Sequence, residues 1–128
     1  MVLCYLFSNE YLIILRNNLD VMAISTSKAG RIAIIGASGY GGLQLVKLIN
    51  EHPNFEISTL NGERSVGKNW NEINPFMKIL GDKKITKSNI DEIAHDSDYA
   101  ILSLPNGLSS QLTPKLLENG VKVLDLSA

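Results

Sequence analysis

The chain has few of the residues that build disulfide frameworks, thiolate metal sites or charged binding surfaces. Its 128 residues include one cysteine, Cys4, so no disulfide can form within the chain and no site with several thiolate ligands can be built. A single cysteine suits a reducing compartment, and we expect a cytoplasmic protein. There are 13 acidic and 12 basic residues, so neither sign of charge dominates. We therefore expect neither nucleic acid nor an anionic membrane surface as a partner.

Long hydrophobic runs are also missing. The apolar stretch 2–15 is broken by Ser8, Asn9 and Glu10, which leaves it short of the ~20 residues that cross a bilayer. No basic residue precedes it, because the first is Arg16, so it fits a secretory signal poorly. We expect residues 1–29 to be an N-terminal extension outside a domain at 30–128, with Met22 as a candidate translation start.

Two further absences exclude a metal site and one class of dehydrogenase. His52 precedes a proline at a predicted helix end, and His95 lies among acidic residues that lack a fixed ligand spacing. We therefore predict a solvated helix face around His95 and no metal site. None of the tyrosines has a lysine four positions later, as the catalytic pair of a short-chain dehydrogenase requires.

A glycine-rich segment is the most informative feature that is present. The apolar run 31–35 leads directly into Gly36-Ala37-Ser38-Gly39-Tyr40-Gly41-Gly42. Glycines at such a strand end permit a sharp turn, allow backbone N–H groups to approach phosphates, and let the next helix pack closely. The N-terminus of that helix, near Tyr40, directs free N–H groups and a positive dipole end at the anion. The segment predicts a binding site for the pyrophosphate of a dinucleotide, although its spacing alone does not separate reductases from epimerases or flavin proteins.

Strand and helix patterns alternate along the rest of the chain. Strands are predicted at 31–35, 55–60, 83–86, 99–104 and 121–126, with helices from near Tyr40 to His52, at 89–95 and at 108–119. This order predicts an α/β fold, a doubly wound parallel sheet of Rossmann type with helices on both faces. The full fold has about six strands, so the sheet is expected to be incomplete and to lack the last strand.

Prolines leave two segments ambiguous. Pro75 interrupts a near-helical apolar pattern over 70–80, whose Trp70 and Phe76 we assign to the core. Pro114 lies inside the last predicted helix, which either begins there with Thr113 as its cap or runs through with a kink.

The loop after the second strand bears on the choice of dinucleotide. Glu63 offers a carboxylate of the kind that binds ribose hydroxyls in NAD proteins, whereas Arg64 and Ser65 suit a 2′-phosphate. We favour NADP. Pro105 and Asn106 follow the fourth predicted strand at the same sheet edge, where they border the nicotinamide half or form a plain turn.

Five motifs together point to a known family. They are the glycine segment 36–42, His52-Pro53, Glu63-Arg64-Ser65-Val66-Gly67-Lys68, Leu104-Pro105-Asn106-Gly107, and the terminal Val123-Leu124-Asp125-Leu126-Ser127-Ala128. In this order, over about 31–128, the chain resembles the N-acetyl-gamma-glutamyl-phosphate reductase family of the semialdehyde dehydrogenase superfamily.

The resemblance implies an NADPH-dependent reduction in arginine biosynthesis, carried out by a homo-oligomer. The acyl phosphate of N-acetylglutamate becomes a thioester on an enzyme cysteine and then takes hydride, which releases the semialdehyde. Carried over by position, the pyrophosphate would be held by Gly36, Ser38, Gly39, Tyr40, Gly41 and Gly42. Arg64 and Ser65 would face the 2′-phosphate, and Pro105 and Asn106 would border the nicotinamide.

The family's catalytic residues have no counterpart in this sequence. Its cysteine lies in a glycine-cysteine-aromatic-proline sequence downstream of the Leu-Asp-Leu-Ser-Ala motif, and its histidine lies later still. Cys4 precedes the first strand of the family and cannot be carried over. We expect a truncated chain without the catalytic and substrate domain, which binds cofactor at most. The alternatives are a non-catalytic nicotinamide-binding regulatory module, or a related reductase of the aminoadipate-phosphate or aspartate-semialdehyde type.

Overall fold

The computed structural model describes residues 29–105 and 107–127, together with the backbone of two earlier strands. These two strands, β1 (Val2–Phe7) and β2 (Glu10–Leu15), pair antiparallel in a sheet of their own. Sequence reasoning did not anticipate this hairpin, since it placed no strand before residue 31. The assignment of residues 1–29 to a region outside the domain stays a prediction.

The second sheet has five parallel strands in the order β5-β4-β3-β6-β7. Its strands are β3 (Gly30–Ile35), β4 (Phe55–Asn61), β5 (Ile85–Thr86), β6 (Tyr99–Leu102) and β7 (Lys122–Asp125). The helices of the described residues are α1 (Tyr40–Asn50), α2 (Trp70–Ile73), α3 (Ile90–Asp96) and α4 (Ser109–Glu118). Strand order reverses at β3, which makes its carboxyl end the switch point of a Rossmann-type sheet and confirms the predicted fold class.

The core forms two layers because β3 is covered on both faces. Ile34 packs in a cluster with Val46 of α1, whereas Ile35 packs in a second cluster with Leu116 of α4. The alternation of neighbouring strand residues between the two clusters shows that α1 and α4 lie on opposite faces. The sheet therefore presents its carboxyl edge, between these helices, as the place where loops meet.

The two ambiguous segments are resolved differently. Trp70 is fully buried, which confirms its assignment to the core, but the assignment of Phe76 is wrong because its side chain is 100% exposed. The helical pattern stops at Ile73, and Pro75 and Phe76 lie in a turn that points away from the core. In the last helix Pro114 is internal, so α4 runs through it from Ser109.

An ion pair at the amino edge of the sheet leads to a prediction about stability in acid. Asp98 Oδ2 accepts the backbone N–H of Arg31 at 2.8 Å, and Oδ1 accepts the Arg31 Nη2 at 3.2 Å. The Arg31 side chain, then its backbone N–H, lowers the pKa of Asp98. A carboxyl whose pKa is lower in the folded state stabilises the fold above its unfolded pKa, about 4, and loses that contribution as pH falls through the folded value.

We expect Asp98→Asn to lower Tm by a few degrees at neutral pH, with the difference from the parent chain shrinking below about pH 4. Thermal unfolding followed across this pH range measures the difference. Asp82→Asn, in an exposed turn, is the matched control and leaves Tm unchanged. A difference for Asp98→Asn that is the same at every pH would contradict the expectation.

Candidate functional site

A cavity of about 510 Å³ opens at the carboxyl edge of the sheet, beside the switch point. Its size falls in the range of small-molecule sites. The walls come from the glycine segment, the loops after β4, β5 and β6, and the first turns of α4: Gly36, Ser38, Gly39, Gly62, Glu63, Arg64, Ser88, Ser103, Leu104, Pro105, Leu108, Gln111, Leu112 and Lys115.

The turn out of β3 requires glycine at its first position. Gly36 has a φ of +93°, and a Cβ there would lie 2.0 Å from the backbone carbonyl oxygen of Ser103. The N–H groups of Gly36 and Ala37 both donate to the carbonyl oxygen of Asn61, at 2.9 and 3.0 Å. The chain thus leaves β3 sharply while it stays bonded to the end of β4.

The other two spaced glycines have different surroundings. A Cβ on Gly42 would lie 2.3 Å from the Gly36 carbonyl oxygen and 2.6 Å from the Ala37 Cα, so this glycine lets α1 pack directly on the turn. A Cβ on Gly39 would meet only the Gly36 oxygen, at 3.5 Å, and the residue is exposed. Gly42 is therefore structural, whereas Gly39 leaves the space above the loop open.

The start of α1 is a set of unused donors. Within the described ranges, no acceptor takes the backbone N–H groups of Ser38, Tyr40, Gly41 or Gly42, and the first turn carries no acidic residue. The N–H of Gly39 is turned inward to the Gly36 carbonyl oxygen at 3.1 Å. Free donors combined with the positive end of the helix dipole form an anion site.

The cavity brings together five of the ten predicted site residues: Gly36, Ser38, Gly39, Arg64 and Pro105. The remaining described ones, Tyr40, Gly41, Gly42 and Ser65, do not line it, and Tyr40 is 81% exposed on the helix. Asn106 lies outside the described residues. The binding roles of all ten stay predictions.

Sequence reasoning missed Asn61, the buried last residue of β4. Its Oδ1 accepts the hydroxyl of Thr59 at 2.9 Å, and its Nδ2 donates to the Thr86 hydroxyl at 3.0 Å and the Lys87 carbonyl at 3.3 Å. This position ends the second strand of the dinucleotide fold, where NAD-binding proteins place a ribose-binding carboxylate. Here an amide occupies it and bonds inward, and the cavity lining includes the carboxylate of Glu63 instead.

The face of α4 was missed as well. The helix was predicted, but nothing in its sequence indicated that Gln111 and Lys115 would line the same cavity as Arg64. Arg64 and Lys115 have no ion-pair partner among the described residues. Among the described residues that line it, the cavity therefore has two cations outside any ion pair and one carboxylate, Glu63, which is a surplus of positive charge for an anionic ligand.

The described residues form neither a membrane-spanning helix nor a cluster of metal ligands. In that part of the chain no helix has both the length and the apolar character for a membrane span. No three histidine, cysteine, aspartate or glutamate side chains there are grouped closely enough to hold a metal ion.

Comparison with known proteins gives one family and many close relatives. Residues 31–128 match the model of the semialdehyde dehydrogenase NAD-binding domain. An N-acetyl-gamma-glutamyl-phosphate reductase of Prochlorococcus marinus strain NATL2A is 94% identical over 107 residues, which cover 84% of this chain and 30% of that protein. The enzyme of the same name from Synechococcus sp. strain CC9605 is 52% identical over 105 residues, 82% of this chain and 29% of its own length. The chain thus spans about 30% of the length of the curated relatives it matches.

Solved structures agree on the fold. Aspartate semialdehyde dehydrogenase with NADP from Candida albicans superposes with a TM-score of 0.69 at 20% identity, over 78% of this chain and 30% of that one. A Rex-family repressor in complex with NADH superposes with a TM-score of 0.59 at 22% identity, over 78% and 46%. At such identities the likeness concerns the fold alone.

Proposed function

Because the chain belongs to the family of semialdehyde dehydrogenase NAD-binding domains, we propose that it is the dinucleotide-binding part of an NADP-dependent N-acetyl-gamma-glutamyl-phosphate reductase. The whole enzyme reduces N-acetylglutamyl 5-phosphate to N-acetylglutamate 5-semialdehyde, a step of arginine biosynthesis. The observation that carries the proposal is the 94% identity over 84% of the chain. We place the enzyme in the cytoplasm as a homo-oligomer, with an acyl-phosphate substrate and no nucleic-acid or membrane partner.

The residues present fit a dinucleotide. The exposed Gly39 leaves room for a phosphate directly above the free N–H groups at the start of α1, and the adjoining cavity has the volume for the rest of the molecule. When bound, the nicotinamide supplies hydride. The residues of this chain bind the dinucleotide, hold it across the switch point and limit how it is oriented.

NADP is favoured over NAD by the charges around the cavity. Arg64 and Lys115 of α4 both line the cavity, and neither is in an ion pair within the described ranges. Asn61 stands where a carboxylate would repel a 2′-phosphate, and its side chain is committed to three hydrogen bonds. A guanidinium forms paired hydrogen bonds to phosphate, so Arg64 is our candidate for the 2′-phosphate contact, with Ser65 beside it.

We propose that these 128 residues, expressed as they stand, bind NADPH without turning over substrate. The only thiol is Cys4, which precedes the family domain, and an acyl-phosphate reductase of this type needs a thiolate nucleophile. Mixing the chain with NADPH and N-acetylglutamyl 5-phosphate should leave the NADPH absorbance constant. Steady consumption above that of a protein-free mixture would overturn this part of the proposal.

Calorimetric titration with NADPH tests the binding function. We expect one site per chain. In Gly39→Asp, the new carboxylate caps α1 from the open N-cap position and fills the phosphate space, so Tm is kept while affinity falls at least about tenfold. Gly39→Ser, which caps the helix without charge, should lose less. The proposal fails if the parent chain does not bind, or if Gly39→Asp binds as well as the parent.

A further inference from the structure

In the loop that follows β6, the N–H of one residue is hydrogen-bonded to the sheet and the N–H of the next is hydrogen-bonded to a residue far along the chain. Ser103 continues the sheet, since its N–H donates to the Ile35 carbonyl oxygen at 2.8 Å. The N–H of Leu104 instead donates to the hydroxyl oxygen of Ser127, at 3.1 Å. Pro105 has no N–H to contribute. The Leu104–Pro105 segment, which lines the cavity, is thus joined to the end of β7 by one side-chain hydrogen bond, besides the packing of Leu104 on the core and a bond from the Leu108 N–H to the Pro105 carbonyl oxygen at 3.4 Å.

Ser127 is itself held by the last residue of β7. Its N–H donates to Asp125 Oδ1 at 2.9 Å, and the intervening Leu126 N–H donates to the Leu102 carbonyl oxygen at 2.9 Å. The pKa of Asp125 is lowered, mainly by the Ser127 N–H and then by the hydroxyls of Ser127 and Ser109. Ser109 is the buried first residue of α4. Asp125 and Ser127 therefore hold the start of the β6–α4 loop against the end of β7, and we call this pair the brace.

The brace lies on the opposite side of the switch point from Arg64. Arg64 follows β4, on one side of the central strand β3, whereas Leu104 follows β6 and Asp125 ends β7 on the other side. A dinucleotide bound across the switch point with its 2′-phosphate at Arg64 extends its other half toward β6 and β7. The segment fixed by the brace is thus next to the nicotinamide half.

We propose that Asp125 and Ser127 are positioning residues for the nicotinamide half of the bound dinucleotide. The inference rests on the proposed function and adds a selective effect to it. Loss of the brace weakens the contacts of the Leu104–Pro105 segment with the nicotinamide half and leaves the adenosine half, at Arg64, bound as before.

Calorimetry with two probes tests the selectivity. NADPH contacts both halves of the site, whereas adenosine 2′,5′-bisphosphate contacts only the adenosine half. Because one hydrogen bond that positions the loop is lost, Ser127→Ala should weaken NADPH binding about three- to tenfold, which is about 0.7–1.4 kcal/mol, and change the bisphosphate affinity less than about twofold. Asp125→Asn, which keeps the shape of the turn, should give a smaller loss with the same selectivity.

Controls separate positioning from general destabilisation. Ser127→Thr keeps the hydroxyl and should bind NADPH with the affinity of the parent chain. Ser58→Ala removes a hydroxyl that bonds Ser97 in the body of the fold, and should change neither affinity. Equal losses for both probes, or no loss in Ser127→Ala, would overturn the inference while leaving the proposed function standing. A parent chain that binds neither probe would instead overturn the proposed function, and the inference with it.

Discussion

Gly36→Ala should destabilise the fold by more than about 3 kcal/mol and abolish dinucleotide binding. Two separate costs add at this position. A φ of +93° disfavours any residue with a Cβ by about 1–2 kcal/mol, and that Cβ would lie 2.0 Å from the Ser103 carbonyl oxygen. The oxygen belongs to the backbone next to β6, so the clash is relieved only by moving the loop away from the sheet.

Gly67→Ala is the matched control for this prediction. Gly67 also has a positive φ, +84°, but an added Cβ there would meet no atom within 4 Å. Gly67→Ala should therefore destabilise the fold only through its positive φ, by about 1–2 kcal/mol, and leave NADPH binding intact. Chemical denaturation gives both free energies of unfolding. Similar free energies of unfolding for the two variants would mean that the turn after β3 accommodates a side chain and does not require glycine at position 36.

Arg64→Ala should discriminate between the two nicotinamide cofactors. We expect NADPH affinity to fall about tenfold, because the contact between Arg64 and the 2′-phosphate is lost. A charge-assisted contact is worth about 1.5–3 kcal/mol, and the exposure of Arg64 to water weakens this one in part. NADH lacks the 2′-phosphate, so its affinity should change less than about twofold. The ratio of the two dissociation constants, measured by titration at one salt concentration, is the observable.

Lys68→Ala provides the comparison for that ratio. Lys68 is an exposed cation of the same loop that does not line the cavity. Its removal changes the overall charge by the same amount, so it should lower both affinities slightly and leave their ratio unchanged. If Arg64→Ala weakens NADH as much as NADPH, then Arg64 acts as a general charge and the choice of NADP has another origin.

Much of this site is predictable from the sequence because it is built from backbone. An apolar run such as 32–35 reads as a buried strand, and glycines at its end indicate a turn whose donors face a phosphate. Those features depend on spacing and on the absence of side chains, both of which the sequence displays directly. The doubly wound parallel sheet was predictable because strands that alternate with helices permit few arrangements.

The parts that escaped prediction depend on three-dimensional packing. Gln111 and Lys115 face the cavity because α4 is rotated by its buried residue Leu116, and the polar remainder of the helix gives no separate signal. Phe76 looked like core because it continued an apolar period, yet Pro75 ends the helix just before it. The inward orientation of the Asn61 side chain could not be predicted, because it depends on the neighbours, Thr86 and Lys87, that the sheet places beside it.

Asn61 couples two parts of the molecule that are far apart in the chain. Its backbone oxygen receives the first two N–H groups of the glycine turn, and its side chain bonds the two-residue edge strand β5 and the residue after it. A short edge strand opens more readily than the centre of a sheet. The geometry of the glycine turn is therefore tied to the shortest strand of the parallel sheet, and by thermodynamic reciprocity an anion bound in the turn would suppress the opening of that edge.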